Sequence, residues 1–317
     1  MTDVYGDWIM NFSHGDNYRE IDLNGCELIG VGKNASVYKM DEETILKVAD
    51  KRDTSLEGVK RELDNAHTAF VYGIPTAISY DVVKVGPYFG AVYEHLSANT
   101  VWQNIKADYS RYNEFGAKEA VLLRTLHKIV LPAGTFPYRE DVIRKRVDDM
   151  KGLLGMEEVS LLHAMLDAVP KRENYIHGDF HHKNIMVHKG ELLLIDMANS
   201  SQGHPIYDLM SVYLADYINS EREPGFFNRT GLTREQVKDE WEVFKRTYLD
   251  TSDPDTLDAF QNAVSFYGEL RWLIYLKRLP DDNPMKAEGI DRACKDFFPS
   301  VEDKIRTTGV WFKKAFA

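Results

Sequence analysis

The spacing of apolar and polar positions changes character about a third of the way along the chain. Early on, the short runs Glu27-Leu28-Ile29, Ser36-Val37-Tyr38-Lys39 and Thr44-Ile45-Leu46-Lys47-Val48 are separated by glycine or by charged turn residues. Runs of this length with such boundaries predict three antiparallel strands. Residues 56–72 then place Val59, Leu63, Ala66 and Phe70 on one helical face, and the pattern stops at Gly73 with Pro75 just beyond. Two further strands, 79–84 and 88–93, are joined through Gly86-Pro87. Beyond Leu96 the spacing is mainly helical, as in 115–129 and 141–154. The shift predicts an α+β chain with a strand-rich lobe over residues 1–96 and a larger helical lobe over 97–317. Ahead of the first strand, Trp8, Phe12 and Tyr18 stand among polar residues and suggest an extra strand or a packing arm.

Composition narrows the class without naming a chemistry. The 317 residues are 44% hydrophobic and 28% charged, ordinary for a globular chain with a sizeable core. A formal net charge of -11 with no basic run argues against general affinity for nucleic acid or anionic membranes, which both require clustered lysine and arginine. Cys26 and Cys294 lie far apart, so two buried apolar cysteines in a reducing compartment are expected rather than a disulfide framework. The start of the chain has no basic segment followed by an apolar one, and no later apolar run approaches the roughly 20 residues of a spanning helix. The expected location is the cytoplasm.

Two segments carry candidate chemistry. Between the first two strands lies Gly30-Val31-Gly32-Lys33-Asn34-Ala35-Ser36, where small residues would let backbone N–H groups approach phosphate oxygens. Two glycines in a hairpin are more often a plain turn, and Ala35 stands where a third glycine would complete a phosphate loop. Lys47 adds weight, because a charged side chain inside an apolar strand needs a partner. Glu62, inside the predicted helix, is better centred for that pairing than Glu57. A strand lysine held by a helix glutamate supplies a fixed positive charge for nucleotide phosphates.

The second segment is His177-Gly178-Asp179-Phe180-His181-His182-Lys183-Asn184, followed by a short apolar strand ending at Ile195-Asp196. A carboxylate and an amide five residues apart, with another carboxylate closing the next strand, suit phosphoryl transfer. Asp179 would orient an acceptor hydroxyl and take its proton, while Asn184 and Asp196 would hold Mg2+, which prefers oxygen ligands and keeps several waters. His181 would donate to the transferring group or simply pack the loop. The cluster His177, Asp179, His181 and His182 also fits a metal-dependent hydrolase. That alternative needs ligands from elsewhere, and the remaining histidines, such as His127 and His163, stand isolated in helical text. Glycine loop, strand lysine, helix glutamate, catalytic loop and strand carboxylate occur here in the order of a kinase.

With these residues the chain resembles the aminoglycoside phosphotransferase and choline kinase superfamily, small-molecule relatives of the protein kinases. The resemblance is carried by residues 177–184, by Leu193-Leu194-Ile195-Asp196 and by Gly203-His204-Pro205-Ile206-Tyr207-Asp208-Leu209, a block that looks like a bacterial phosphotransferase subgroup. It implies a bilobal protein-kinase-like fold with ATP, or alternatively GTP, bound between the lobes. By the same resemblance Asp179 is catalytic, Asn184 and Asp196 bind magnesium, and Gly30, Gly32, Ser36, Lys47 and Glu62 belong to the nucleotide site. Glu94-His95-Leu96 looks like the hinge facing the adenine, and Asp208 supports the catalytic loop through hydrogen bonds. His182-Lys183 replaces the Pro-Gly of many relatives.

Only residues 197–207 separate Asp196 from Asp208, too short for the peptide platform of a protein kinase, so a small hydroxylated acceptor is expected. Residues 1–96 hold 16 acidic and 9 basic residues, a net charge of -7 that leaves -4 of the total -11 to residues 97–317, so most of the net negative charge lies away from the helical lobe where a polycationic acceptor would bind. Tyr213, Asp216, Tyr217, Glu269, Arg271 and Trp272 are candidates for the acceptor pocket, each equally readable as a solvated charge or core aromatic. They suit a sugar, an amino alcohol or an anionic metabolite alike, and the pattern assigns no oligomeric state. A catalytically silent nucleotide-binding regulator of the same fold is the alternative from another class.

Overall fold

The computed structural model describes residues 18–315 apart from 33 and 51–54; the expected arm at Trp8 and Phe12 lies outside them. Two compact units are formed. One holds the chain up to Ala98 together with Leu193–Ala198, and the other holds Asn99–Leu192 and the chain from Asn199 onward.

In the first unit, β1 (Glu27–Val31), β2 (Ser36–Lys39) and β3 (Thr44–Val48) are followed by α1 (Leu56–Val71), β4 (Ser79–Val85) and β5 (Tyr88–Glu94). The strands pair antiparallel in the order β1-β2-β3-β5-β4. Alternation along them sends Leu46, Val48, Val83, Val85 and Val92 into one apolar cluster, against which Ile21, Leu23, Tyr38 and Met40 pack. The helix begins where Ser55 Oγ accepts the Gly58 N–H at 3.2 Å, the bond that makes serine a good N-cap.

Phe70, expected on the buried face of α1, is 49% exposed, and the inward positions are Val59, Leu63, Asn65, Ala66 and Ala69. The polar member is explained by its partner, since Asn65 Nδ2 donates to the Met197 carbonyl at 3.0 Å. The excursion Leu193–Ala198 is fixed at its start as well: Leu194 N–H donates to the Pro75 carbonyl at 2.8 Å, and Thr76 Oγ1 donates to the Leu194 carbonyl at 2.9 Å. Three hydrogen bonds thus hold the stretch that carries Asp196.

The second unit begins with β6 (Asn99–Thr100), α2 (Val101–Ala107), α3 (Tyr112–Leu126), α4 (Arg139–Asp148) and α5 (Met156–Asp167). Three short strands follow, β7 (Asn174–Ile176), β8 (Ile185–His188) and β9 (Glu191–Leu194), the last leading out of this unit, and β10 (Ser201–Gly203) comes after the return. The remainder is helical: α6 (Ile206–Tyr213), α7 (Asn219–Arg222), α8 (Phe226–Thr230), α9 (Arg234–Leu249), α10 (Pro254–Lys277), α11 (Pro284–Arg292) and α12 (Val301–Ala315). The expected helix over 141–154 ends early because Asp149–Leu154 turns back on itself, with Gly152 at φ 92. β7 pairs with β10, and β8 lies between β6 and β9, so short ladders bracket residues 177–184.

The core of this unit is largely aromatic. Trp241 stacks on Phe244 at 5.4 Å, Phe244 stacks on Tyr248 at 6.1 Å, and Phe260 packs beside Tyr248 at 5.8 Å. Neither cysteine is buried, contrary to expectation: Cys26 is half-buried and Cys294 is exposed, and both are free thiols. At Cys294 the reason is local, because the wide turn Ala293–Phe297 buries only its two ends. Among the described residues no helix is long and apolar enough to cross a membrane.

Candidate functional site

In the first unit the pleat of β3 turns Lys47 away from the cluster that takes Leu46 and Val48, toward α1. Its Nζ lies 2.6 Å from Glu62 Oε1 and 3.4 Å from Asp196 Oδ1. Burial by itself would lower the Lys47 pKa, but the two carboxylates outweigh it and the net direction is upward, so the ammonium is firmly charged. Burial also raises the Glu62 carboxyl, opposed by Lys47 and reinforced by Asp196. Glu57, the competing partner, is exposed. Asp196 adopts φ 62, a left-handed conformation that is uncommon outside glycine and is held by the flanking bonds of Leu194 and Met197.

The glycine hairpin is tight. Gly32 N–H donates to the Ala35 carbonyl at 2.8 Å, and the β1–β2 register shifts between Leu28 and Gly30. Ser36 is buried at the start of β2. At the far end of β5, Glu94 is half-buried with Oε2 accepting the Ile78 N–H at 3.3 Å, and Leu96 is buried.

In the second unit, residues 177–184 are organised from beneath by Asp208 on α6. Its Oδ2 accepts the His177 N–H at 2.8 Å and its Oδ1 accepts the Gly178 N–H at 2.6 Å. His127 Nε2 lies 3.3 Å from the same Oδ2, and His127 Nδ1 lies 2.8 Å from the Tyr248 hydroxyl. Since a carboxylate only accepts, Nε2 carries the proton and Nδ1 receives the tyrosine O–H. Burial acts to raise the Asp208 pKa, yet the bonds and charges of His127, His177 and Gly178 hold it below the usual value. The support implied for Asp208 is therefore made of two backbone bonds and one imidazole.

Gly178 permits the sharp turn that follows, with φ 79 and no room for a side chain: a Cβ would stand 2.5 Å from the Asn199 carbonyl oxygen. Arg139, buried on α4, donates from Nη2 to the Gly178 carbonyl at 2.6 Å. Asp179 then emerges half-buried. Asn184 Nδ2 donates to the Asp179 carbonyl at 3.0 Å and lies 3.4 Å from Oδ2, which turns its own Oδ1 away from Asp179. His181 Nδ1 accepts the Lys183 N–H at 3.2 Å, which places the proton on Nε2, 3.8 Å from Asp179 Oδ2.

The histidines of this loop diverge rather than converge. His177 Nδ1 accepts the Asp179 N–H at 3.3 Å, while His182 is buried with Nδ1 2.6 Å from Glu119 Oε2 and its ring stacked 6.4 Å from Trp102. Among the described residues no group of three His, Cys, Asp or Glu side chains is placed to hold a metal ion. His182 thereby pins the loop to α3.

The acceptor candidates separate. Tyr213 is buried, stacked on Tyr217 at 5.0 Å, with its hydroxyl accepting from Gln261 Nε2 at 3.2 Å. Trp272 is 1% exposed and packs on Tyr275. Glu269 is gripped by both ends of the Arg222 guanidinium, one bond at 2.8 Å. The side chain of Asp216 lies outside the described residues. Arg271 Nε donates to Ser211 Oγ at 3.3 Å, while its Nη1, like Trp272 Nε1, is buried without a hydrogen-bond partner. Arg139, Glu119, His127 and Arg222 were not singled out from the sequence, since a single charged residue in helical text has no local signature.

Comparison with known proteins bears on the fold and the family. A choline/ethanolamine kinase family protein from Mesorhizobium loti is 16% identical and aligns over 90% of this chain and 92% of its own, with a TM-score of 0.54. Choline kinase from Cryptosporidium parvum is 13% identical over 91% of this chain and 93% of its own, also at 0.54. The aminoglycoside phosphotransferase APH(3'')-Id from Streptomyces rimosus is 17% identical over 76% of this chain and 92% of its own, at 0.50. These likenesses show a kinase-like fold. No curated protein matches the chain. The model of the phosphotransferase enzyme family matches residues 25–245, from the first strand through residues 177–184 and Asp208 into α9, and the chain belongs to that family.

Proposed function

We propose that this phosphotransferase uses ATP and magnesium to phosphorylate a hydroxyl group of a small molecule. The observation that carries the reading is the fixed presentation of Asp179: its loop is bonded to Asp208 at two successive amides and cross-braced by Asn184. A carboxylate held half-exposed in this way can align an acceptor hydroxyl and receive its proton.

The residues present fit a magnesium-bound nucleotide. Asn184 commits its nitrogen to Asp179 and so offers its oxygen, and Asp196 offers a carboxylate, the hard donors that Mg2+ takes alongside water and phosphate. Magnesium would neutralise charge on the phosphate oxygens. Lys47, kept charged by Glu62, supports the same phosphates. Gly30, Gly32 and Ser36 would lie along them, and Glu94 and Leu96 would meet the base. The acceptor oxygen attacks the γ-phosphorus as its proton passes to an Asp179 oxygen. The bond from that phosphorus to the bridging oxygen breaks, and ADP leaves with the electron pair. His181, with its proton on Nε2, donates to a phosphoryl oxygen. Tyr213 and Glu269 are engaged by Gln261 and Arg222, while Arg271 Nη1 and Trp272 Nε1 are buried without a hydrogen-bond partner.

The test is Asp179→Asn, which keeps the shape and removes the base. Turnover should fall by about a hundredfold or more with nucleotide affinity little changed, as expected for a general base. Full retained activity would remove Asp179 from the role. Nucleotide binding without turnover over a broad acceptor panel would favour the silent regulator.

A further inference from the structure

Four arginines of the second unit, carried by two helices, lie near enough for their charges to act on one another. Arg139 and Arg146 are seven residues apart on α4, and Arg271 and Arg278 are seven apart at the end of α10, a spacing that returns to nearly the same helical face. Their charges act on one another and on one carboxylate. The electrostatic neighbours of Arg271 are Asp179, Arg278 and Arg139, and those of Arg146 are Arg139, Arg278, Arg271 and Asp179. Asp208 also acts on Arg139, but its oxygens are already taken by two amides and His127.

What is missing is counter-charge. Arg124, Arg144, Arg222 and Arg234 each meet a carboxylate within ion-pair distance. Among the described residues, none of the four clustered arginines does; their hydrogen bonds are those of Arg139 to the Gly178 carbonyl and Arg271 to Ser211. Arg139 Nε and Arg271 Nη1 are buried without a hydrogen-bond partner. Burial, followed by repulsion from the other three, pulls the Arg146 guanidinium below its ordinary value. An arginine does not resolve such a position by losing its proton. Arg139 is buried, Arg146 and Arg271 are half-buried and Arg278 is exposed, so three guanidinium groups are at least partly desolvated without a carboxylate to pair with, an arrangement that suits an anion from outside.

We infer that the acceptor is an anionic hydroxylated small molecule, whose carboxylate or phosphate is held by Arg146, Arg271 and Arg278 while its hydroxyl meets Asp179. The assignment of the hydroxyl rests on the phosphotransferase reading above; the anion site stands on the arginines alone. Arg139, buried and bonded to Gly178, is a positioning residue that adds positive field beneath the site. The arrangement disfavours a polycationic or quaternary ammonium acceptor, which would face four guanidinium groups beside Asp179. Bidentate geometry suits both carboxylate and phosphate, so the two sources are distinguished by experiment.

The test uses gluconate, glucose and glucosamine, which share a polyhydroxy skeleton but carry an anion, no charge and a cation, together with glucose 6-phosphate as the phosphate arm. Calorimetric titration into the protein saturated with ATP and magnesium should show binding of at least one of the two anions and weaker binding of glucose and glucosamine. Whichever anion binds tighter names the group. Arg271→Gln and Arg146→Gln should each weaken that anion by about tenfold to a hundredfold, the worth of a charge-assisted hydrogen bond, with partial rescue by Arg271→Lys. Both glutamine variants should melt no lower than the parent without ligand, because each removes a repelled cation; a merely structural arginine would lower the melting point. Tighter binding of glucose or glucosamine, no binding of either anion, displacement of the anion by ATP, or unchanged affinity in the variants overturns the inference. Anion binding lost in Arg271→Gln without phosphorylation of any acceptor would support the anion site and count against the phosphotransferase reading.

Discussion

Asp208 Oδ1 accepts the Gly178 amide at 2.6 Å, while the other oxygen of the same carboxylate takes the neighbouring His177 amide. A buried acceptor with two oxygens is thus matched to two successive donors. Asp208→Asn would set an NH2 group against one N–H and forfeit a charge-assisted bond worth about 2–3 kcal/mol. The urea midpoint should fall with the slope unchanged, and kcat should drop more than nucleotide affinity. An Asn variant as stable as the parent would mean that the loop does not depend on this carboxylate.

Glu62→Gln breaks the pair that neutralises Lys47 inside the first unit. Both side chains are mostly shielded, and removing one partner of a buried pair costs about 3 kcal/mol. Lys47 would keep Asp196 at 3.4 Å, so part of its position survives. The expected outcome is weaker ATP binding, read by titration of nucleotide, together with a lowered melting temperature. Glu57→Gln, at an exposed position, should change neither.

Gly178→Ala should damage fold and turnover together. The added methyl would meet the Asn199 carbonyl at 2.5 Å and Arg139 Nη1 at 2.8 Å, in a left-handed conformation that already costs about 1–2 kcal/mol for an L residue. Gly152→Ala is the control, with φ 92 and nothing within 4 Å of the new carbon. It should show only the conformational cost. Denaturant curves of the two variants separate backbone strain from collision.

His204 predicts an acid limb. Burial first, then the charges of Arg172 and His127, lower its pKa from 6.5 to about 3, and its Nδ1 accepts the Ile206 N–H at 3.1 Å. The folded protein therefore keeps this ring neutral down to about pH 3, while the unfolded chain protonates it below 6.5. The unfolded state binds more protons in that window, so stability falls as pH drops, by up to about 1.4 kcal/mol per pH unit from this residue. His204→Asn keeps an acceptor and does not titrate. Its stability curve should be flatter by about one proton between pH 6 and 4, as measured by urea unfolding at several pH values.

The strands were readable from the sequence because apolar alternation was broken by glycine and charge, and Lys47 stood out because it interrupted an apolar run. Phe70 misled because helical spacing shows a face but not its edges, and Asn65 took the inward place for a hydrogen bond to residue 197 that no local pattern displays. Tyr213 and Trp272 looked like pocket residues since aromatic side chains read alike in a core and a cleft. Arg271 was a candidate from the sequence, but Arg139, Arg146 and Arg278 escaped notice for the opposite reason: charged residues in helical text suggest a solvated surface, and only folding showed that they lack carboxylate partners. Asp179 and Asn184 stood out because they share one eight-residue segment, and Asp208 because it closes a second short block, Gly203-His204-Pro205-Ile206-Tyr207-Asp208-Leu209.

Asp196 sits at φ 62, where glycine would rest without strain. Replacement by glycine there would relieve about 1 kcal/mol of backbone cost, but it would also strip Lys47 of its second carboxylate at 3.4 Å and remove the oxygen donor proposed for magnesium. The backbone alone favours glycine at this position while the side chain favours aspartate, so an engineering campaign that scores single positions by backbone strain should hold residue 196 fixed.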